Sequence, residues 1–202
     1  MFTIDQLQTD VFGPVSLSLK PGEALIVRGA SGSGKTRFLR ALADLDPSKG
    51  KVWLNGVERF SRAATDWRAK VRYVPAVSAW WHETVAPHFE TSAPLSEGME
   101  QLNLPARLWD SPVADLSTGE RQRLAFLRAL QDKPDVLLLD EPTSALDEPS
   151  IARVETMMDA ELARGACLLI VSHRPEQMEK YGQNQLVFEK GQAELVENQR
   201  SV

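Results

Sequence analysis

Eight residues between an apolar run and a helix-spaced segment constrain this chain more than any others. They are, in order, Gly29, Ala30, Ser31, Gly32, Ser33, Gly34, Lys35 and Thr36. They fit the pattern G-x-x-x-x-G-K-[ST], in which glycines let the backbone turn tightly enough to point several N–H groups inward. Residues 24–27 before them are typical of a strand buried on both faces, and Phe38 and Leu42 after them recur at helical spacing. A chance glycine-rich turn is the alternative, and this context argues against it. The segment predicts a phosphate-binding loop at a helix N-terminus.

The last two residues of the loop carry the chemistry. Lys35 is a mobile point charge that would reach the β- and γ-phosphates of a nucleoside triphosphate. The hydroxyl of Thr36 would coordinate Mg²⁺. The loop therefore predicts a Mg-ATP site.

A second segment ends in two acids. Residues 136–139 are apolar, and Asp140 and Glu141 follow them. Open α/β sheets bind ligands at the carboxyl ends of their strands, so we expect Asp140 to hold Mg²⁺ through water and Glu141 to act as general base. Without the phosphate loop, two solvated acids at a strand end would be an equally good interpretation.

The pattern along the chain predicts an α/β fold. Residues 15–19, 24–27, 52–54, 71–74, 136–139, 167–171 and 186–188 are interpreted as strands, and residues 149–164 as a helix. The helix after the phosphate loop is expected to continue until Pro47. Strands alternating with helices indicate a mainly parallel sheet, with a small antiparallel β element near the N-terminus. We expect one domain over 1–202, with a core at about 1–77 and 133–202 and a helical subdomain at about 78–132.

Composition excludes several classes. The net charge of −5 gives no basic footprint for nucleic acid. The single cysteine, Cys167, lies in an apolar run, is expected to be a buried strand thiol, and fits a reducing cytosol. The N-terminus has no signal-peptide pattern, and no stretch approaches the roughly 18 apolar residues of a membrane helix. We expect no direct membrane insertion.

The residues just before the acidic strand carry a family resemblance. The segment 116–123 reads LSTGERQR and resembles the LSGGQ signature of ABC ATPases. Ser117 and Glu120 also have capping-box spacing, so a helix is expected to begin here. A capped helix without a ligand is the alternative. The resemblance implies that Ser117 and Gly119 bind the γ-phosphate held by a second subunit, so that two ATP molecules lie in a head-to-tail dimer.

Further segments match the same family in order. Residues 144–147, ending in Asp147, resemble the D-loop that crosses the dimer interface, and His173 resembles the switch histidine that contacts the γ-phosphate. His82 and His88 have no such context and are expected to be structural. The resemblance spans essentially the whole chain. It implies a cytoplasmic ATPase subunit that a transmembrane permease subunit holds at the inner face of the cell membrane. It also implies a homodimer in the ATP-bound state.

The sequence departs from the family at several positions. Ala76 stands where a glutamine usually contributes to the Mg²⁺ or water shell, and Thr118 replaces a signature glycine. Phe12 is the nearest candidate for the aromatic residue that stacks on adenine, and a core or turn role is the alternative. At least one of Trp80 and Trp81 is expected to be exposed on a partner surface, although both could pack within the insertion.

Several functions remain open from the sequence. The favoured one is an ATPase subunit of a transporter. Pro75 and Ala76 at the glutamine position, together with the compact length, resemble short bacterial exporter subunits, including metal exporters. The alternatives are a nucleotide-gated interaction module with weak turnover, because of Ala76 and Thr118, and an ABC ATPase outside transport. A small-molecule kinase is a further alternative, and the signature argues against it.

Overall fold

The computed structural model describes residues 1–89 and 95–197, which form two sheets and the helices packed on them. The six-stranded sheet has the order β10-β9-β3-β8-β7-β6, and the four-stranded sheet the order β2-β1-β4-β5. The strands are β1 (Phe2–Gln8), β2 (Val15–Leu19), β3 (Ala24–Gly29), β4 (Lys49–Leu54), β5 (Val57–Glu58), β6 (Val71–Val74), β7 (Val136–Asp140), β8 (Cys167–Val171), β9 (Asn184–Glu189) and β10 (Gln192–Glu197).

The larger sheet is parallel except at one edge. β3 pairs in parallel with β8 and β9, and β7 with β6 and β8, whereas β10 runs antiparallel to β9. Every residue of β7 and β8 is buried, as expected for strands covered by helices on both faces. The predicted strands are confirmed, and the carboxyl ends of β3, β7 and β8 meet at one edge of the sheet.

The smaller sheet is antiparallel, which confirms the β element predicted near the N-terminus, although its strand β1 was not itself predicted. β1 lies between β2 and β4, and its own side chains Phe2, Ile4 and Leu7 are buried. These side chains belong to the same apolar core as the inner face of α1, so the small sheet and the parallel sheet enclose one core.

The helices are α1 (Lys35–Leu42), α2 (Ala64–Lys70), α3 (Leu95–Gln101), α4 (Thr118–Leu130), α5 (Glu148–Ala163) and α6 (Pro175–Tyr181). Between β6 and β7, the described residues form only helical segments and one isolated bridge, Thr84 to Pro112. A short 3₁₀ helix at Ala86–His88 precedes α3, and two more, at Ala106–Asp110 and Val113–Asp115, lie between α3 and α4. These segments lie within the residues expected to form a helical subdomain.

The prediction for the end of α1 was wrong. The helix ends at Leu42 rather than continuing to Pro47. Asp44 adopts a left-handed conformation with φ 57°, and the Leu45 N–H donates back to the Arg40 carbonyl. This reversal closes the helix C-terminus before proline could interrupt it.

Nowhere in 1–89 or 95–197 does a helix have the length and apolar character needed to cross a bilayer.

Candidate functional site

The glycine-rich segment forms a tight loop between β3 and α1. Gly29 has φ 147°, and a Cβ there would lie 2.4 Å from the carbonyl oxygen of Phe188. Gly34 caps α1 with φ 111°, a conformation that L side chains rarely adopt. Larger residues would strain or block both positions. The loop therefore turns tightly just before the N-terminus of α1, which is the arrangement that an anion site at the start of a helix requires.

Lys35 lies across this loop. Its Nζ donates to the carbonyl oxygens of Gly29 at 2.7 Å and Ala30 at 2.9 Å, and the residue is buried. The side chain therefore already points along the loop, and a phosphate oxygen would compete with these two carbonyls for its protons.

Thr36 and Asp140 meet although they are far apart in sequence. The Thr36 Oγ1 donates to Asp140 Oδ2 at 2.8 Å, and the Tyr73 hydroxyl donates to the same oxygen at 3.0 Å. Burial raises the pKa of Tyr73, and the nearby Asp140 charge adds to this effect. Sequence reasoning missed Tyr73. Its only signal was its place near the carboxyl end of β6, a strand paired with β7.

Glu141 follows β7 in a strained conformation beside His173. Its φ is 51°, and its N–H donates to the Val171 carbonyl at 3.0 Å. The His173 Nε2 lies 3.3 Å from Glu141 Oε1. Burial raises the pKa of Glu141, although His173 in its charged form opposes the rise and Asp140 adds to it. A partly desolvated carboxylate of raised pKa is suited to accept a proton.

Most of these side chains line one pocket of about 530 Å³. Its lining residues include Ser31, Gly32 and Gly34 of the loop, together with Lys35, Thr36, Asp140, Glu141 and His173. Ala76 also lines it and offers no side-chain oxygen. Arg37 and Arg40 line another side, where both pair with Asp46.

Phe12 does not line the pocket. It is 3% exposed, and its ring packs edge-on against Phe38 and Phe188 with centroids 5.8 and 5.6 Å away. The core alternative for Phe12 is therefore supported, and the expectation that it stacks on adenine was wrong. Its neighbour Val11, 38% exposed, lines the pocket instead.

The capping box predicted at Ser117 is present at the start of α4. Ser117 Oγ accepts from the Glu120 N–H at 3.2 Å, and Glu120 Oε2 accepts from the Ser117 N–H at 2.8 Å. The Ser117 hydroxyl also donates to Glu120 Oε2 at 2.7 Å, and this hydrogen bond, together with the one from the Ser117 N–H, lowers the pKa of Glu120. Asp147 caps α5 in a similar way, accepting from the Ser150 N–H at 3.1 Å. Ser117, Gly119 and Asp147 are not among the described residues that line the pocket of this one chain.

The two tryptophans differ, as expected. Trp81 is 64% exposed, whereas Trp80 is partly buried, and both rings stack against the guanidinium of Arg128. His88 is structural: its Nε2 accepts from the backbone N–H groups of Trp81 and His82 at 2.9 and 3.0 Å. Burial lowers the pKa of His88. Cys167 is also buried, and burial raises its pKa to about 11.

Comparison with known proteins identifies relatives. A family model described as ABC transporter matches residues 12–144. The cytochrome c biogenesis ATP-binding export protein CcmA of Bordetella parapertussis is 35% identical, over 80% of this chain and 76% of that protein. The lipoprotein-releasing system ATP-binding protein LolD of Pseudomonas fluorescens is 34% identical, over 81% and 80%.

Solved structures agree in fold. The ATP-binding subunit of an ABC transporter matches with a TM-score of 0.88 and 21% identity, over 97% of this chain and 89% of that one. A dimeric ATP-binding cassette in a post-hydrolysis state, bound to ADP and Pi, matches with a TM-score of 0.83 and 21% identity over the full length of both chains. At these identities the likeness concerns the fold alone.

Proposed function

The chain belongs to the ABC transporter family as one of its ATPases, and we propose that it powers an exporter by hydrolysing Mg-ATP between two copies of itself. One observation carries this proposal. Thr36 in the first turn of α1, and Glu141 and His173 after the ends of β7 and β8, line one pocket with Lys35 and Asp140. That set would supply phosphate binding, a cation site and a base in one place.

The loop and Lys35 would bind the triphosphate. Backbone N–H groups of the loop and the positive end of α1 would bind the phosphates, and Ser31, Gly32 and Gly34 line the pocket. Ala30 and Ser33 complete the loop. We expect Lys35 to exchange its bonds with the Gly29 and Ala30 carbonyls for bonds to phosphate oxygens. There it would offset the charge that develops during in-line attack.

Thr36 and Asp140 fit a magnesium ion. Both are oxygen donors, which Mg²⁺ prefers, and their oxygens lie 2.8 Å apart. Two ligands at about 2.1 Å on adjacent corners of an octahedron would be about 3 Å apart. Mg²⁺ bound with the nucleotide would neutralise part of the phosphate charge. Asp140 would hold the ion directly or through water, and Tyr73 would orient Asp140.

Glu141 and His173 would prepare the attacking water. The raised pKa of Glu141 suits it to take a proton from water, and His173 lies close enough to orient the carboxylate. His173 would also contact the γ-phosphate. Both residues line the same pocket as Lys35, so the water and the phosphate would be held on one side of the loop.

A second copy of the chain would complete the site. Ser117, Gly119 and Asp147 lie outside this chain's own pocket, which supports a role on the nucleotide of the partner subunit. The capped N-terminus of α4 would then present Ser117 and Gly119 to that γ-phosphate. Closure on ATP and opening after hydrolysis would drive a membrane partner between two states.

The membrane partner would be a separate permease, reached at the inner face of the cell membrane. CcmA is named an export protein and LolD belongs to a lipoprotein-releasing system, which supports export by this chain. The exposed Trp81 lies within the insertion that we propose as the helical subdomain, about 78–132, and the exposed Val77 lies at its edge. They offer apolar contacts to such a partner. The transported substrate would be selected by the permease.

Phosphate release by the purified chain tests this function. We expect Mg-ATP hydrolysis that is lost in Lys35→Ala through weak binding. We expect a loss of at least about a hundredfold in Glu141→Gln with ATP affinity retained, because only the base is removed. Equal turnover by wild type and Glu141→Gln would contradict the assigned base.

A further inference from the structure

Gln122 is a buried polar residue that the mechanism above does not use. It lies in the first turns of α4, five residues after Ser117, and is 7% exposed. Its Nε2 donates to the Glu141 carbonyl oxygen at 2.9 Å, and its Oε1 accepts from the Ala145 N–H at 3.1 Å. One amide thus links the helix that begins at Ser117 to the loop that begins at Glu141.

The orientation of this amide is fixed by its neighbours. Nε2 faces a carbonyl and Oε1 faces an N–H, so a flipped amide would put two acceptors and two donors against each other. The Nε2 also lies 3.4 Å from Ser144 Oγ. Both ends of the side chain are therefore committed to residues 141–145.

The loop depends on such ties because its first residue is strained. Glu141 has φ 51°, and conformations of this kind persist only where surrounding contacts hold them. The peptide groups of Glu141 are fixed on two sides, by its N–H to Val171 and by its carbonyl to Gln122. Of these two hydrogen bonds, the one from Gln122 is the one that connects Glu141 to α4.

Close packing makes α4 and this loop move together. A Cβ at Gly119 would lie 3.3 Å from the Ala145 carbonyl oxygen. Arg123 contacts the Ser150 hydroxyl in the first turn of α5. A displacement of the N-terminus of α4 would therefore shift residues 141–150. The hydrogen bond from Gln122 is the contact through which it would shift Glu141 itself.

Resting on the function proposed above, we propose that Gln122 is a positioning residue that couples the two ATP sites of the dimer. Ser117 and Gly119 would close on the partner's ATP, whereas Glu141 acts on ATP bound to its own subunit. Through Gln122, closure of α4 on one ATP sets the position of the base at the other. Hydrolysis at the two sites is therefore cooperative.

Gln122→Met tests this coupling, with Gln185→Met as its matched control. Methionine keeps the length of the side chain and removes both hydrogen bonds. Gln185 is also 7% exposed, but its amide donates to the Gly182 carbonyl, away from residues 141–147. Thermal unfolding of both variants measures the general effect of losing a buried amide.

Three readouts are expected to change in Gln122→Met and not in the control Gln185→Met. In the nucleotide-free chain, amide hydrogen exchange over residues 141–147 should quicken by about tenfold or more, since the loop loses a tie. With ATP, kcat should fall about tenfold while the Kd of a fluorescent ATP analogue at the phosphate loop stays within about twofold. The Hill coefficient for ATP should fall from near two toward one, because two sites set its upper limit.

Gln122→Glu separates the donor from the acceptor. The carboxylate keeps an acceptor for Ala145 and loses the donor to Glu141, so it should resemble Gln122→Met. Unchanged exchange over 141–147, or a kcat and Hill coefficient matching those of Gln185→Met, would overturn the proposal. Absence of hydrolysis in the wild type would instead contradict the proposed function, and the exchange measurement would still decide the role of Gln122.

Discussion

Glu141 combines a strained backbone with a partly desolvated carboxylate. Burial raises its pKa, and the nearby charge of Asp140 raises it further, while Lys35 and protonated His173 act in the opposite sense. The net effect is a rise from the ordinary value. A base works best when its pKa approaches the working pH, so this environment favours proton abstraction from water.

The pH profile of turnover should report this shift. Because the base must be deprotonated, kcat should fall as the pH falls, with a midpoint above the ordinary glutamate pKa of 4.5. Measuring kcat at saturating ATP across the acid range checks this. The residual rate of Glu141→Gln should lack this limb. A wild-type rate that stays flat down to about pH 5 would contradict it.

Val11 lines the pocket, whereas the neighbouring Phe12 is buried in the core. An aliphatic side chain gives the nucleobase no aromatic face, and base–aromatic stacking is worth about 1–3 kcal/mol. Val11→Tyr should therefore tighten ATP binding by about tenfold, measured by calorimetry. Phe12→Leu, a change confined to the core, should lower the melting temperature and leave affinity nearly unchanged. Weaker binding in Phe12→Leu at full folding would contradict the assignment of the wall to Val11.

At the scale of the elements, helix N-termini recur around the proposed chemistry. α1 begins at the phosphate loop, α4 at Ser117 and α5 at Asp147. In α4 the capping box occupies both the Ser117 hydroxyl and its backbone N–H. The serine therefore has a structural role within this chain as well as its proposed role on the partner's phosphate.

Ser117→Asp separates these two roles. Aspartate keeps the acceptor for the Glu120 N–H but loses the donor to Glu120 Oε2, so Ser117→Asp and Ser117→Ala should each lower the unfolding free energy by about 1 kcal/mol. The added negative charge would repel the γ-phosphate, so hydrolysis should fall far more in Ser117→Asp than in Ser117→Ala. Chemical denaturation and phosphate release measure the two effects. Full turnover in Ser117→Asp would contradict contact between this position and phosphate.

Periodicity and local motifs predicted most of this fold, because their signals are local. β2, β6 and β8 have the predicted bounds, and α5 differs by a residue at each end. The antiparallel edge strand β10 was missed because half of its six residues are polar. The end of α1 was missed because the left-handed Asp44 is not a glycine.

The site could be predicted only where a motif marks it. The loop, Asp140, Glu141 and His173 follow strands whose ends meet, and the sequence shows those strands. Tyr73 and Gln122 act through contacts across 67 and 19 residues. No pattern along the chain signals such contacts. Whether Phe12 faces the pocket or the core depends on its packing against Phe38 and Phe188, which are distant in sequence.

At the scale of the whole molecule, the pocket of one chain holds half of the proposed machinery. The phosphate loop, the cation ligands and the base line it, whereas the signature residues lie outside it. A second copy in head-to-tail orientation would bring Ser117 and Gly119 to the open side. The central claim is therefore that ATP itself joins two copies of this chain.

Light scattering of Glu141→Gln with and without Mg-ATP tests that claim most directly. Without hydrolysis the closed state should accumulate, so the mass should rise from that of the 22.5 kDa monomer to twice that value only when Mg-ATP is present. The control Lys35→Ala/Glu141→Gln should stay monomeric because it lacks the phosphate contact. A Glu141→Gln chain that remains monomeric with its phosphate loop saturated by ATP would contradict the claim.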